Sequence, residues 1–269
     1  MKLRRLVRNT LYGLLDIRDS MTGRRGPMVP PRRLMNVGSN SRWLNDFTSI
    51  GDEVFGYLKE VGGVKPTDRV LDIGCGVGRL AIPLTGYLTS GSYEGFDIEK
   101  APIEYCQRVI TSRFPNFRFR HIDLFNTHYT PNSSTQPHEF RFPYPDNSFD
   151  FVFLTSVFTH MRHREVASYL AEIRRVLAPG GRCFATFFLL NQETDAMIET
   201  NPQTLTFKHP MEHGRANNAA NPDAAFAFDE TFIRTLYHDN AMQIERLAYG
   251  SWRGIPSTTG YQDTVVSTK

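Results

Sequence analysis

The stretch Val70-Leu71-Asp72-Ile73-Gly74-Cys75-Gly76-Val77-Gly78-Arg79 decides how this chain folds. A short apolar strand at 70–73 runs into a turn with glycine at every second position, and a helical pattern over 79–88 follows. Gly74, Gly76 and Gly78 remove side chains where a backbone must turn tightly and approach a ligand. A helix opening there would offer free N–H groups and the positive end of its dipole. A glycine loop alone also suits a plain strand–helix turn, so the spacing has to decide. Dinucleotide enzymes favour G-x-G-x-x-G. Here the glycines fall as G-x-G-x-G, and Asp72 stands two residues before the first.

Outward from this turn, short apolar runs alternate with helical patterns. Strands are predicted at 70–73, 92–96, 117–121, 149–154, 182–189, 243–249 and 262–267. Helices are predicted at 43–61, 79–88, 102–112, 164–177 and 229–240. The alternation predicts an α/β fold, a Rossmann-like doubly wound sheet of about seven strands, mostly parallel and covered on both faces. Two connections are too long for plain turns, residues 124–148 and 190–228. Ligands of open α/β sheets sit beyond the carboxyl ends of the strands, where both connections begin. Both are candidates for a substrate wall, and 190–228 is read as a lid insertion.

Three more segments follow in order. Tyr93-Glu94-Gly95-Phe96-Asp97-Ile98 ends the second strand with an acid about 20 residues beyond the glycine turn, the spacing that reaches ribose hydroxyls. A carboxylate accepts both hydroxyl protons at once. Arg120-His121-Ile122-Asp123-Leu124 ends the third strand. Phe149-Asp150-Phe151-Val152-Phe153-Leu154-Thr155-Ser156-Val157-Phe158-Thr159-His160-Met161 forms the fourth strand and the turn after it. Arg175-Val176-Leu177-Ala178-Pro179-Gly180-Gly181-Arg182 forms the next helix-to-strand turn.

Together, over roughly residues 50–190, these segments resemble class I S-adenosylmethionine-dependent methyltransferases of the bacterial small-molecule type. Tyr249-Gly250-Ser251-Trp252 and Tyr261-Gln262-Asp263 look like the tail of that class. The resemblance implies S-adenosyl-L-methionine as methyl donor. It implies that Asp72 accepts from the cofactor's α-ammonium, Asp97 from its ribose and Asp123 from its adenine amino group. Leu124 would supply an apolar edge, and Gly74, Cys75, Gly76, Gly78, Arg79, Ile98 and Thr155 would line the same site. The plainer readings are a helix cap for Asp72, a loop cap for Asp123 and a surface turn for Asp97. A nicotinamide oxidoreductase is disfavoured by the glycine spacing and by Asp72. A cofactor-binding regulatory protein without catalysis stays open.

Methyl transfer from a sulfonium is an in-line displacement with a neutral sulfide leaving, so alignment matters most and can supply about 7–11 kcal/mol. A hydroxyl acceptor also benefits from a general base. His160, just past the fourth strand, is the first candidate base; its other reading is a structural histidine beside the cofactor. His209 and His213, in Lys208-His209-Pro210-Met211-Glu212-His213, are weaker candidates. Pro210 argues against the helix that would align them as a metal pair with Glu212, and no metal is expected. No Asn-Pro-Pro-Tyr amino-group signature follows the fourth strand. The reading is therefore O-methylation of a small molecule, sugar or glycolipid, with N- or C-methylation as the alternative.

Composition adds a boundary. The 269 residues are 40% hydrophobic and 22% charged, as in ordinary soluble globular proteins rather than disordered ones. No run of about 18 apolar residues exists. Cys75, Cys106 and Cys183 lie too far apart for a disulfide framework or a four-cysteine zinc site, which points to a reducing cytoplasm. The net charge of +3 hides an asymmetry: residues 1–42 hold ten basic and two acidic residues, +8, and the remainder sums to −5. Two units are expected, a basic helix and arm over 1–42 and a methyltransferase-like domain over 43–269. Residues 2–15 place Leu3, Leu6, Val7, Leu11, Leu14 and Leu15 on helical spacing, with Lys2, Arg4, Arg5 and Arg8 between them. Gly13 and Asp16 interrupt that run, unlike a secretory leader. The helix suits a cap on the active site or peripheral contact with an anionic inner membrane surface. Nucleic acid is the weakest partner, because the body is acidic. Nothing in the sequence sets the oligomeric state.

Overall fold

The computed structural model describes residues 2–35, 44–127, 129–200 and 205–269. The expected boundary at 42/43 lies outside the described residues. In chain order the elements are α1 (Lys2–Met21), α2 (Leu44–Glu60), β1 (Arg69–Ile73), α3 (Ala81–Thr85), β2 (Ser92–Asp97), α4 (Lys100–Cys106), β3 (Phe117–His121), β4 (Phe149–Leu154) and α5 (His163–Val176). Then come β5 (Leu177–Phe187), β6 (Leu189–Leu190), α6 (Gln192–Thr200), β7 (His209–Met211), β8 (Gly214–Ala216), β9 (Phe226–Asp229), α7 (Glu230–Asp239), β10 (Gln243–Ala248) and β11 (Asp263–Thr268).

The main sheet has the seven expected strands in the order β10-β11-β5-β4-β1-β2-β3. All neighbours from β5 to β3 are parallel, and β11 runs antiparallel to both β5 and β10. The order reverses beside β1, whose carboxyl end carries the glycine turn; such a switch point opens a crevice for ligand. Strand residues alternate between two cores. Val70, Phe151, Phe153 and Phe184 pack with Phe47, Leu58, Leu84 and Ile103 of α2, α3 and α4. Leu71, Ile73, Val152, Leu154 and Ala185 pack with Val166, Leu170, Ile233 and Tyr237 of α5 and α7. Phe151, Val152, Phe153 and Leu154 are all fully buried, each stabilising the sheet by about 1.5–3 kcal/mol of transfer free energy.

One expectation needs correction, and the described residues of both long connections are structured. The helix expected at 79–88 is the five-residue α3. Ala81 is its first residue, yet Ile82 N–H already donates to the Gly78 carbonyl at 3.1 Å, so the helical hydrogen bonding begins at the glycine turn. The insertion 190–228 is folded: α6 follows β6, the first strand of a second sheet of order β6-β9-β8-β7, in which β7 and β8 form an antiparallel hairpin. Sequence patterning missed it because three-residue strands show no period. The segment 124–148 is packed down at its C-terminal part. Phe142 is 1% exposed and meets Phe96 edge-on. Arg175 of α5 ties this segment down, donating to the carbonyls of Phe142 and Tyr144 and to Asp146.

Candidate functional site

The glycine turn is held by the end of β2. Gly74 N–H and Cys75 N–H both donate to the Phe96 carbonyl, at 2.9 and 3.1 Å. Gly76 N–H donates to Asp97 Oδ2 at 2.8 Å, and Asp97 Oδ1 accepts from Glu99 N–H at 2.8 Å. Gly74 has φ +76°, and a Cβ there would sit 2.4 Å from Val157 Cγ2, so the turn also presses on the segment after β4. Gly76 differs: a Cβ on it would meet nothing within 4 Å, so its outer side faces open space. Asp97 thus stands at the rim of a cradle, half-buried, its carboxylate accepting from the Gly76 and Glu99 N–H groups with the Ile98 N–H also directed at it. Burial pushes its pKa up, and the N–H donors oppose that shift.

Asp72 lies under the turn, 2% exposed, and accepts from the Tyr93 hydroxyl at 2.6 Å. Burial raises its pKa to about 7; Tyr93 and the charge of Arg79 pull the other way. Tyr93 is a partner that the sequence reading did not find. Cys75 is buried, Arg79, Ile98 and Thr155 are half-buried, Asp123 is exposed and Leu124 is 1% exposed. These residues ring the carboxyl ends of β1, β2, β3 and β4.

The segment after β4 forms the other half. Ser156 has φ +58°, uncommon outside glycine, and its N–H donates to Thr186 Oγ1 at 2.9 Å. With Thr186 Oγ1 accepting there, its own proton goes to Gln262 Oε1 at 2.7 Å, and Ser156 Oγ donates to the same oxygen. The Gln262 amide is therefore set with Nε2–H turned away from both hydroxyls. Asp263 is fully buried and accepts from Leu189 N–H, Gly250 N–H and Trp252 Nε1–H at 2.7–2.8 Å. Burial raises its pKa to about 6. Sequence reasoning placed Gln262 and Asp263 only in a tail that resembles the family, without a role, and missed Thr186. The one available signal was an acid placed directly before the apolar run Thr264-Val265-Val266.

His160 Nδ1 lies 2.9 Å from the Asp223 carbonyl and its ring meets Tyr129 edge-on at 5.8 Å. A carbonyl only accepts, so Nδ1 carries the proton and Nε2 is the basic nitrogen. Arg162 clamps the Asp223 side chain at 2.7 Å. His213 joins a different group: it stacks on Phe232 at 4.0 Å, beside His163 and Glu212. His209 is an exposed residue of β7. The three histidines are thus not brought together.

Residues 70–181 match the family model described as "Methyltransferase domain". They form a methyltransferase domain. A sterol 24-C-methyltransferase of Gibberella zeae is 33% identical over 129 residues, 46% of this chain and 29% of that protein. Phthiotriol/phenolphthiotriol dimycocerosates methyltransferase 1 of Mycobacterium ulcerans is 34% identical over 113 residues, 42% of this chain and 35% of that protein. The chain thus spans about a third of the length of these curated relatives. Among solved structures, the PH0226 protein of Pyrococcus horikoshii superposes with a TM-score of 0.58 at 18% identity, covering 88% of this chain and 94% of that one. The magnesium protoporphyrin IX methyltransferase of Synechocystis, solved with bound S-adenosylhomocysteine, gives 0.52 at 17% identity, covering 88% and 92%. At such identities the likeness is one of fold. The methyltransferase domain covers β1 to the early part of β5; the second sheet and the arm lie outside the family match.

Proposed function

We propose that this methyltransferase binds S-adenosyl-L-methionine at the ends of β1–β3 and methylates a small-molecule, sugar or lipid acceptor at a hydroxyl. One observation carries the reading: backbone N–H groups fix the half-buried Asp97 carboxylate at the rim of the open Gly76 cradle, where it can still accept from a ribose hydroxyl. Asp97 would hold the ribose, exposed Asp123 the adenine amino group, and Leu124 and Ile98 the flat apolar edge. Asp72 would meet the α-ammonium, and Gly74, Cys75, Gly76, Gly78, Arg79 and Thr155 would line the walls. When bound, the sulfonium supplies an activated methyl group and a neutral leaving sulfide.

The rest falls to side chains of this chain. With Nδ1 donating to the Asp223 carbonyl, Nε2 is the basic nitrogen of His160 and would take the proton of an acceptor hydroxyl. Gln262 Nε2–H is a donor for an acceptor oxygen at the same strand ends. That two relatives are named for a sterol and for phthiotriol dimycocerosates supports an apolar acceptor. Work at the inner membrane surface, with contact through residues 2–15, belongs to the same reading.

Incubating the protein with methyl-labelled S-adenosylmethionine and fractionated cell extract should label a product in an organic-soluble or small-molecule fraction. No label in any fraction counts against the enzyme. With that acceptor, His160→Gln should lower turnover about a hundredfold at unchanged S-adenosylhomocysteine affinity. Full activity would remove His160 as base.

A further inference from the structure

Four large apolar side chains on α1 face solvent: Leu11, Leu14, Ile17 and Met21 are 53%, 62%, 59% and 83% exposed. Among the described residues, the other large apolar side chains so exposed are Met211, Ile255 and Tyr261, which lie apart in the chain. Spacings of three and four residues put the α1 set on one face of the helix.

The opposite face explains why the apolar one points outward. It carries the only two acids of residues 1–42, Asp16 and Asp19, which are 9% and 1% exposed. Both are taken up by Arg32, itself 3% exposed. Arg32 Nη1 donates to Asp16 at 2.9 Å, Nη2 donates to Asp19, and the Arg32 backbone N–H also reaches Asp16. The Arg32 guanidinium holds the Asp19 carboxyl below its ordinary range. Arg32 sits on a strap whose Val29 and Met35 enter the core with Phe47 and Leu58. The acid face is therefore docked inward and the apolar face is presented outward.

This docking also sorts the charge. Both acids are spent on the inside, Asp19 reaching back only to Arg18. Lys2, Arg4, Arg5 and Arg8 precede the apolar face in the sequence, and exposed Arg24 and Arg33 follow it. A second copy of this helix would bring cations against cations with no acid at the seam to pair them. An anionic bilayer satisfies both features, since apolar side chains enter the interface and cations meet headgroups.

We propose that the outward face of α1, from Leu11 to Met21 with its flanking arginines, docks on an anionic phospholipid bilayer. This rests on the membrane contact proposed above for residues 2–15 and extends it by a turn and a half; its test is read separately from methyl transfer.

The test is flotation of the full chain with vesicles of phosphatidylcholine alone or of equal parts phosphatidylcholine and phosphatidylglycerol. The chain should float with the anionic vesicles in low salt, stay behind with neutral ones, and detach as salt rises. Leu14→Glu with Ile17→Glu should lower the partition at least about tenfold. Arg4→Glu with Arg5→Glu should lower it about fivefold per residue. Circular dichroism and S-adenosylhomocysteine calorimetry should be unchanged in both variants, which separates this proposal from the cofactor reading. The proposal is overturned by no flotation on anionic vesicles in low salt, or by equal flotation of Leu14→Glu/Ile17→Glu. It is equally overturned by a dimer in light scattering that these substitutions dissolve.

Discussion

The two halves of the site are built by different means. On the β1–β2 side, backbone N–H groups of Gly74, Cys75 and Gly76 hang on Phe96 and Asp97, 21 residues ahead for the Gly76–Asp97 bond. On the β4–β5 side, side chains reach across the chain: His160 to Asp223 over 63 residues, Leu189 to Asp263 over 74 and Ser156 to Gln262 over 106. The first half is a strand–turn–helix–strand unit whose parts are neighbours in the chain. The second is a tertiary assembly whose parts are free to vary. This division suits a domain with a fixed donor and an acceptor set by other residues.

The sharpest way to break the first half is Gly74→Val. Positive φ and the 2.4 Å approach of Val157 together should cost on the order of 3–4 kcal/mol and abolish S-adenosylhomocysteine binding. Thermal unfolding and calorimetry check it; a variant with wild-type Tm and affinity would show that the turn tolerates a side chain.

The matching break in the second half is Asp263→Ala. It orphans three N–H donors at once and should cost about 3 kcal/mol. Hydrogen exchange should speed up at 189–191 and 250–252, while S-adenosylhomocysteine affinity changes less than about twofold. A large loss of cofactor affinity would show that the halves are not independent.

A smaller effect sharpens the comparison through pH. Asp72 titrates at about 7 in the fold, against about 4 in the unfolded chain. Between those values the folded state holds a proton that the unfolded state has lost, so this group makes the protein less stable as pH rises from 4 to 7. A cationic α-ammonium favours the ionised carboxylate, so S-adenosylhomocysteine affinity should rise about tenfold from pH 6 to pH 8, with proton release on binding. Calorimetry in buffers of different ionisation enthalpy measures both. A flat profile would separate Asp72 from the ligand.

The same difference explains what the sequence shows and hides. Strand–helix alternation and the G-x-G-x-G turn were enough to predict the seven-strand sheet and to nominate Asp97, because their causes are local. The length of α3 was misjudged because the glycine turn continues through Leu80 before Pro83, and Gly86 follows at the end. The small sheet escaped notice because its strands are short and paired through distant β9. The tautomer of His160 and the orientation of Gln262 depend on partners far along the chain, which no spacing reveals. Arg32 was one of ten basic residues in the arm; only the fold shows that it spends both acids there and turns the apolar face outward.

The central claim is that the ends of β1 and β2 hold S-adenosylmethionine through Asp97. Calorimetry of the wild-type chain and of Asp97→Ala with S-adenosylhomocysteine, and with NAD as comparator, tests it most directly. The account predicts that the wild type binds S-adenosylhomocysteine and not NAD, and that Asp97→Ala loses about 1–3 kcal/mol of that affinity. Unchanged affinity in Asp97→Ala, or binding of NAD in place of S-adenosylhomocysteine, would contradict it.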